Sequence, residues 1–434
     1  MTAEISIMNK RAIALAADSA VTIGNGDKFY NTANKIFTLS KYYPVGIMVS
    51  NNVEFMGVPL EIIIKQYRET INEKEFKTLK EYAEHFLEFL HSDNMNLRLY
   101  ESQYIDNFLF QLDNNLSERL KNKHNEKVEE LQRPMNSEEL LELRIKIINE
   151  FSEIIKNKTL LNNVPEDLDK YVLNNYMGII DNHIKKFVDI DNLDPEILRE
   201  LKNIYAKVFK TDWFGRQYSG LVIAGFGDND IFPSLISYKV SGIIDGFIRY
   251  NITNEKQISL ENSYSIIPFA QTETVNTFLN GISPNYIEIL DKNFVNSIIN
   301  NLDEINEKIP VNNLTDETIS IIKDYLHDNW NEVLNEIISF SNSNYLIPIL
   351  RSIRVSPKDE LASMAESLVN LTSLKRQVSV DDNYQTVGGP IDVAVISKGD
   401  GFVWIKRKHY FEPKLNHHFF DNYYSNMEGD NKNE

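Results

Sequence analysis

Cysteine is absent from all 434 residues, which removes disulfides, thiolate zinc sites and cysteine nucleophiles together. No apolar run reaches the roughly 18 residues a membrane-spanning helix needs, so no segment reads as one. Basic residues are outnumbered, 45 against 63 acidic, and the formal net charge of −18 repels phosphate backbones and anionic headgroups wherever no basic patch intervenes. Nucleic acid and membrane are therefore not expected partners. The start, Met1-Thr2-Ala3-Glu4-Ile5-Ser6-Ile7, lacks the basic stretch and apolar core of a signal peptide, and the expected location is cytoplasmic. Repeats at solenoid periods are missing too.

What is present is a globular composition, 42% hydrophobic and 11% aromatic, on a chain too long for one compact core. One core domain with large insertions is expected. The first 57 residues contain four short apolar stretches, Glu4 to Met8, Ala12 to Ala17, Lys35 to Leu39 and Val45 to Val49, separated by turn residues, and they predict an antiparallel meander. From Pro59 the period becomes helical, with Leu60, Ile63, Ile64 and Tyr67 on one stripe and Leu79, Tyr82, Phe86 and Leu90 on the next. Asn136 and Glu139 fit a capping box and Asp194-Pro195 a helix start. Strand patterning returns at Gly220 to Gly225 and Ile231 to Val240, a helix is predicted over Ala270 to Leu279, and a second helical block fills Tyr286 to Leu350. Ser356-Pro357 opens a further helix, and Ile391 to Ser397 with Gly401 to Lys406 predict a closing hairpin. Strand blocks segregated from helix blocks indicate an α+β fold.

Thr2 is the residue with the most chemical potential. Initiator methionine is removed when a small residue follows, and an N-terminal threonine carries a hydroxyl nucleophile and an amine base about 3 Å apart on one residue. The amine titrates near pH 8 when unperturbed. Asp18 closes the second predicted strand and Lys35 begins the third, so a hydroxyl, a carboxylate and an ammonium are predicted at one end of the sheet. Other features read more plainly. His417-His418 have no carboxylate pair at helical spacing to complete a metal site. Lys406-Arg407-Lys408-His409 reads as a solvated strand edge rather than a nucleic-acid site. Gly225-Phe226-Gly227 lacks the helix of a dinucleotide fingerprint. No cofactor and no metal are expected.

Ala16-Ala17-Asp18-Ser19-Ala20-Val21-Thr22, with its Asp sixteen residues after Thr2, resembles the signature of proteasome β-subunits, a family of N-terminal nucleophile (Ntn) hydrolases. The likeness continues through Lys35-Ile36-Phe37-Thr38-Leu39, Gly46-Ile47-Met48-Val49-Ser50, the stretch from Leu221 to Phe226, Pro233 to Gly242, and Gly388 to Ser397, about 200 residues in order. It is similar to a bacterial-type proteasome homologue with large helical insertions.

The resemblance implies an αββα sandwich of two antiparallel sheets between helix layers. Residues 1–75, 214–282 and 355–411 would form the Ntn core, 76–213 and 283–354 two helical insertions, and 412–434 a polar tail. It implies Thr2 as nucleophile and base, Asp18 as orienting group, Lys35 as electrostatic stabiliser, and the backbone N–H of Ser50, just after the fourth strand, as oxyanion donor. Ser19 is a possible auxiliary. The family's first substrate pocket maps onto Val21, Ala33, Phe37, Met48, Asn52 and Met56, an apolar set suited to large apolar side chains before the cleaved bond.

Three departures accompany the likeness. The family's glycine-rich loop is Val49-Ser50-Asn51-Asn52 here. Its Asp and Ser before Gly-Gly are replaced by Tyr384-Gln385-Thr386-Val387, so that either Asp381 or Asp382 replaces the acid through a shifted loop or nothing does. Its Gly-Ser-Gly segment gives way to Ile267 to Glu273, with Ser265 and Thr272 as candidate hydroxyls. Three readings stay open: a threonine-dependent amide hydrolase acting on peptides or proteins, an inactive proteasome-like assembly or binding subunit, and an Ntn amidase of a small molecule. The expected assembly is a homo-oligomer, with an unfoldase or adaptor as possible partner.

Overall fold

The computed structural model describes residues 3–23, 28–92, 96–188, 194–307, 315–378 and 388–421. Along the chain, β1 (Ala3–Asn9) and β2 (Ile13–Ala17) form a hairpin and β3 (Val21–Ile23) and β4 (Lys28–Tyr30) a small ribbon. β5 (Ile36–Thr38), β6 (Val45–Asn51) and a ribbon of β7 (Glu54–Phe55) with β8 (Val58–Pro59) follow. Next come the α-helices α1 (Leu60–Ile71), α2 (Leu79–His91), α3 (Glu101–Leu131), α4 (Ser137–Lys156), α5 (Leu168–Phe187) and α6 (Pro195–Lys207). The strands β9 (Ser219–Gly225), β10 (Ser234–Ile244), β11 (Phe247–Gln257) and β12 (Tyr264–Ala270) are succeeded by α7 (Thr272–Asn280), α8 (Pro284–Glu307), α9 (Asp316–Ser341), α10 (Ile347–Val355) and α11 (Lys358–Val378). The hairpin of β13 (Asp392–Ser397) and β14 (Gly401–Lys406) closes the order. This is a mixed fold of antiparallel sheets and helices, and no described helix is long and apolar enough to cross a membrane.

The chain divides into two compact units, one of residues 1–36 and 258–434, the other of residues 37–257. In the first, the sheet order is β12-β1-β2-β13-β14. Ala3, Ile5 and Ile7 of β1, Ala12, Ala14 and Ala16 around β2, and Val393 and Val395 of β13 alternate onto one face, where they meet Leu361, Ala365 and Leu368 of α11, Val275 of α7 and Ile353 of α10. Small residues on β2 let α11 lie close across the sheet.

The predicted four-strand meander does not form. A tight turn joins β1 and β2, with the Arg11 N–H donating to Asn9 Oδ1 at 2.9 Å, but the far edge of β2 pairs with β13 from the other end of the sequence. β5 and β6 belong instead to the sheet ordered β11-β10-β9-β6-β5. Two strands outside the sequence-based expectation, β11 and β12, complete the sheets. Pro268 masks β12, and its position on an edge strand is where a residue without an N–H is tolerated. Ala270 consequently ends this strand, and α7 starts at Thr272.

In the second unit the sheet packs against α2 and α3, and α4, α5 and α6 extend the same apolar cluster. The capping box is present at α4, where Asn136 Oδ1 accepts from the Glu139 N–H at 2.8 Å and Glu139 Oε2 accepts from the Asn136 N–H at 2.8 Å. Asp194 caps α6 ahead of Pro195.

Among the described residues, two buried basic side chains brace the helices of this unit. Arg249 of β11 is fully buried and donates to the carbonyls of Phe209, Thr211 and Trp213, to Tyr104 Oη and to Ser241 Oγ, all within 3.1 Å. The rings of Phe108, Phe209 and Phe214 lie within 6 Å of its guanidinium. Substituting Arg249→Met would strip donors from three carbonyls, so a loss of about 3–5 kcal/mol is expected in urea unfolding.

His183 of α5 is the second, with Nδ1 2.6 Å from Asp113 Oδ2 and Nε2 3.0 Å from Asp106 Oδ1, while Tyr205 donates to Asp113 Oδ1 at 2.9 Å. Burial disfavours its charged form, but the bonds to Asp113 and Asp106 outweigh it and the imidazole is raised above its ordinary value. A raised folded value means that this stabilisation is complete below the unfolded value near pH 6.5 and fades as pH rises through the folded one. His183→Gln should therefore cost more stability at pH 6 than at pH 9, measured by urea denaturation at both; a cost independent of pH would contradict it.

Candidate active site

Asp18 is the first residue beyond β2 and Lys35 the last before β5, and the first unit brings them together. Both are fully buried, with Lys35 Nζ 2.7 Å from Asp18 Oδ1. The same oxygen accepts from the Ala3 N–H at 3.1 Å, while Oδ2 accepts from the Gly388 N–H at 3.0 Å. The Asp18 N–H in turn donates to the Ala3 carbonyl at 3.0 Å. One carboxylate thus fixes the start of β1, the Lys35 ammonium and the Gly-Gly approach to β13. Charge-assisted bonds of this kind are the strong ones, and three donors satisfy a buried carboxylate far better than a lone ion pair would.

Ser19 extends the clamp. Its N–H donates to the Gly388 carbonyl at 3.2 Å, its carbonyl accepts from the Ala33 N–H at 3.2 Å, and its hydroxyl donates to the Pro390 carbonyl. That last bond leaves Ser19 tethered to backbone. Gly389 has φ +77°, and a Cβ there would approach the Asn31 carbonyl oxygen to 2.9 Å; only glycine suits this close crossing.

The remaining predicted residues are distributed over both units and the undescribed segments. Thr2, Asp381 and Asp382 lie outside the described residues. Val21 opens the β3 ribbon and Ala33 sits in the loop that leads to Lys35. Phe37, Met48, Ser50, Asn52 and Met56 belong to the second unit. There Met48 is fully buried on β6, and the Met56 sulfur accepts from the Ile243 N–H at 3.3 Å. The Asn52 N–H donates to the Tyr218 carbonyl. β6 runs through Asn51, so Ser50 sits inside the strand opposite Gly220 rather than just after it. A side chain at Gly220 would strike Ser50 Oγ at 2.0 Å. Ser265 lies on β12 and Thr272 opens α7.

Sequence reasoning missed three ionisable residues near the Asp18–Lys35 pair. Asp392 opens β13 and binds both the N–H and the Nζ of Lys408, so this lysine is not part of a solvated strand edge. Burial, first, lowers the Lys408 ammonium, Asp392 opposes the shift, and Lys35 and Asp18 also act on it. Arg407 stacks on Trp404 and Lys406 pairs with Glu366. Glu4 is 2% exposed on β1; burial pushes its carboxyl well above the usual range, against the pull of Lys35 and with the push of Asp18. Nothing in a strand pattern such as Glu4-Ile5-Ser6-Ile7 distinguishes a buried glutamate from a solvent-facing one. Among the described residues no group of three or more ligating side chains could hold a metal ion.

No protein-family model matches this sequence, and no curated protein matches it. Solved structures align along nearly the whole chain. They include Anbu, the ancestral beta-subunit, from Yersinia bercovieri, at 9% identity over 98% of this chain and 96% of that one with a TM-score of 0.27. The helical assembly of the Anbu complex from Pseudomonas aeruginosa aligns at 10% identity over 98% and 95% with a TM-score of 0.27. A Gly-1 mutant of Anbu from Hyphomicrobium sp. strain MC1 aligns at 10% over 99% and 97% with a TM-score of 0.28. Likeness at this level assigns no role to any residue, and the site stands on its own geometry.

Removing one member of the buried pair isolates its partner. Lys35→Met should cost about 3–5 kcal/mol in chemical denaturation, with part of that loss recovered when Asp18→Asn is added. Additive single effects would show that the two groups do not couple.

Proposed function

We propose that this chain is a threonine-dependent amide hydrolase, a proteasome-like peptidase that works through an acyl-threonine intermediate. The observation that carries the reading is the Asp18 carboxylate, which binds the Lys35 ammonium and the backbone N–H of Ala3, the residue that follows Thr2, through one oxygen. A positive charge and the start of the chain are thereby tied to one anchor.

In this reading, removal of Met1 frees the Thr2 amine. The amine takes the hydroxyl proton as the oxygen attacks a substrate carbonyl, and then delivers it to the departing amine. The Lys35 ammonium favours the developing alkoxide, and Asp18 holds it in place. The proposed oxyanion donor, a contribution typically worth about 10²–10³ in rate, is the backbone N–H that the resemblance maps onto Ser50; because Ser50 sits in β6 opposite Gly220, its N–H would have to leave that pairing to serve. Water then cleaves the threonyl ester by the same proton path in reverse. Val21, Ala33, Phe37, Met48, Asn52 and Met56 are the proposed pocket for a large apolar side chain, Ser19 a proposed auxiliary group, and Asp381 or Asp382 the proposed substitute acid.

The reading carries with it the αββα sandwich implied by the resemblance, a core of residues 1–75, 214–282 and 355–411 with insertions over 76–213 and 283–354, and a cytoplasmic homo-oligomer that takes peptides or proteins, with an unfoldase or adaptor as partner.

The test is hydrolysis of a fluorogenic peptide-amide library, with intact mass to establish whether Met1 is removed. Thr2→Ala should lose at least about 10³-fold in kcat/KM while unfolding as the parent does. Equal turnover in the variant would overturn the nucleophile assignment. A folded chain that loses Met1 yet turns over no amide would favour an assembly or binding subunit.

A further inference from the structure

Ala3, Ile5 and Ile7 of β1 point into the helix-covered core, so strand alternation sends Glu4 and Ser6 to the opposite face. Glu4 there pairs in register with Ala17 of β2, and Ala17 with Asp392 of β13, while Phe269 of β12 flanks Glu4 on its other side. Glu4 and Asp392 thus occupy one cross-strand row, about 10 Å apart at two strand spacings, with only a methyl group between them. Asp18 continues directly from Ala17, and Lys35 binds it.

The ionisable groups around Glu4 are therefore Asp18 and Lys35 on the segments after β2 and before β5, Asp392 on β13, and Lys408 after β14; β12 contributes the uncharged Phe269. Asp18 is matched by Lys35, and Asp392 by Lys408. Among the described residues Glu4 is the fifth group, and it has no counterion of its own. Neither of its carboxyl oxygens has a hydrogen-bond partner, nor does Ser6 Oγ on the same face. A carboxylate that is buried, undonated and without its own cation is the costlier form, and the neutral acid is what such a place selects.

We propose that Glu4 is a positioning residue of the candidate site, a neutral carboxyl group beside the Asp18–Lys35 pair whose ionisation would weaken the field of Lys35 at the Thr2 hydroxyl and turn the site down. The proposal rests on the reading of Thr2 as nucleophile. When the Glu4 O–H bond breaks, its proton passes to solvent base and the electron pair stays on the carboxyl oxygen. The new carboxylate then competes for the field of Lys35, and the hydroxyl of Thr2 loses that much stabilisation of its developing negative charge. The strong upward displacement of the Glu4 carboxyl by burial agrees with this direction.

Folding is linked to the same proton. The folded state holds it above the unfolded value near pH 4.3, so the unfolding constant of the parent gains a factor of ten per pH unit from this group until Glu4 ionises in the folded state. Glu4→Gln, which keeps the shape and cannot ionise, lacks that contribution.

The experiment uses the full chain and Glu4→Gln. One measurement is the infrared carbonyl stretch of a protonated carboxyl group, followed with pH. The other is the rate at which a β-lactone acylates Thr2, read by intact mass between pH 6 and 10. The parent should show the band at pH 7, absent in Glu4→Gln, and its acylation rate should step down about tenfold across the pH range in which the band disappears. The variant should lack this downturn.

Absence of the band at pH 7 overturns the proposal. Identical pH profiles in the two proteins overturn it while leaving Thr2 as nucleophile. A parent that shows the band but is not acylated at any pH overturns the nucleophile reading, and the role of Glu4 with it. If Glu4→Gln does not fold, the parent alone decides, because a downturn more than one pH unit from the loss of the band is incompatible with control by Glu4.

Discussion

Burying the carboxylate of Asp18 obliges the chain to bring three donors to one point, and most of the first unit's connectivity follows from that. The Ala3 N–H comes from the start of β1, the ammonium from Lys35 before β5, and the Gly388 N–H from a segment 370 residues further on. Each donor left out would leave an acceptor or a charge unsatisfied in a place closed to water. The pairing of β2 with both β1 and β13 places the last two strands beside the first two. Ser19 and Gly389 add the local fit, one through three bonds to the backbone around it, the other by lacking a side chain where Asn31 crosses.

The same economy of charge governs the polar face around the pair. Asp18 with Lys35 and Asp392 with Lys408 make two neutral units, and each ion answers its own partner. Glu4 is the exception: its carboxyl oxygens have no hydrogen-bond partner, and burial pushes the group well above the usual carboxylate range. Such a mixture of satisfied pairs with one uncompensated acid is common where a fold supports chemistry, because perturbed groups collect at sites that need particular protonation states.

The second unit meets a related difficulty by a different route. Its long helices must be held to the sheet and to one another, and their apolar stripes supply attraction without a fixed register. Arg249 supplies direction with five donors, each aimed at a backbone or hydroxyl oxygen and none at a carboxylate. His183 joins α5 to α3 through Asp113 and Asp106, and Tyr205 of α6 completes the junction. Satisfied polar networks of this sort specify one packing among several that apolar contacts alone would allow.

Local chemistry was legible in the sequence wherever a few neighbouring residues decide the outcome. The capping box of α4, the Asp194-Pro195 start of α6, the stripes of α1 and α2 and the last hairpin all follow from short-range spacing. Asp18 and Lys35 do meet, but not through the meander from which that was expected: β2 pairs with β13 instead. Pairing was not legible. The exchange of a four-strand meander for two sheets turns on β13 reaching β2 and β9 reaching β6, contacts between residues far apart along the chain, and β12 was hidden by a proline that only an edge position tolerates. Burial of Glu4, Asp392 and Lys408 was equally out of reach, since a charged residue in a strand carries no mark of the face it will occupy. Sequence by itself determined the segments, their caps and the residue types capable of chemistry, because those depend on covalent neighbours. Tertiary structure alone decided which charges lost their water and which partners they found, because desolvation is a property of everything that packs around a group.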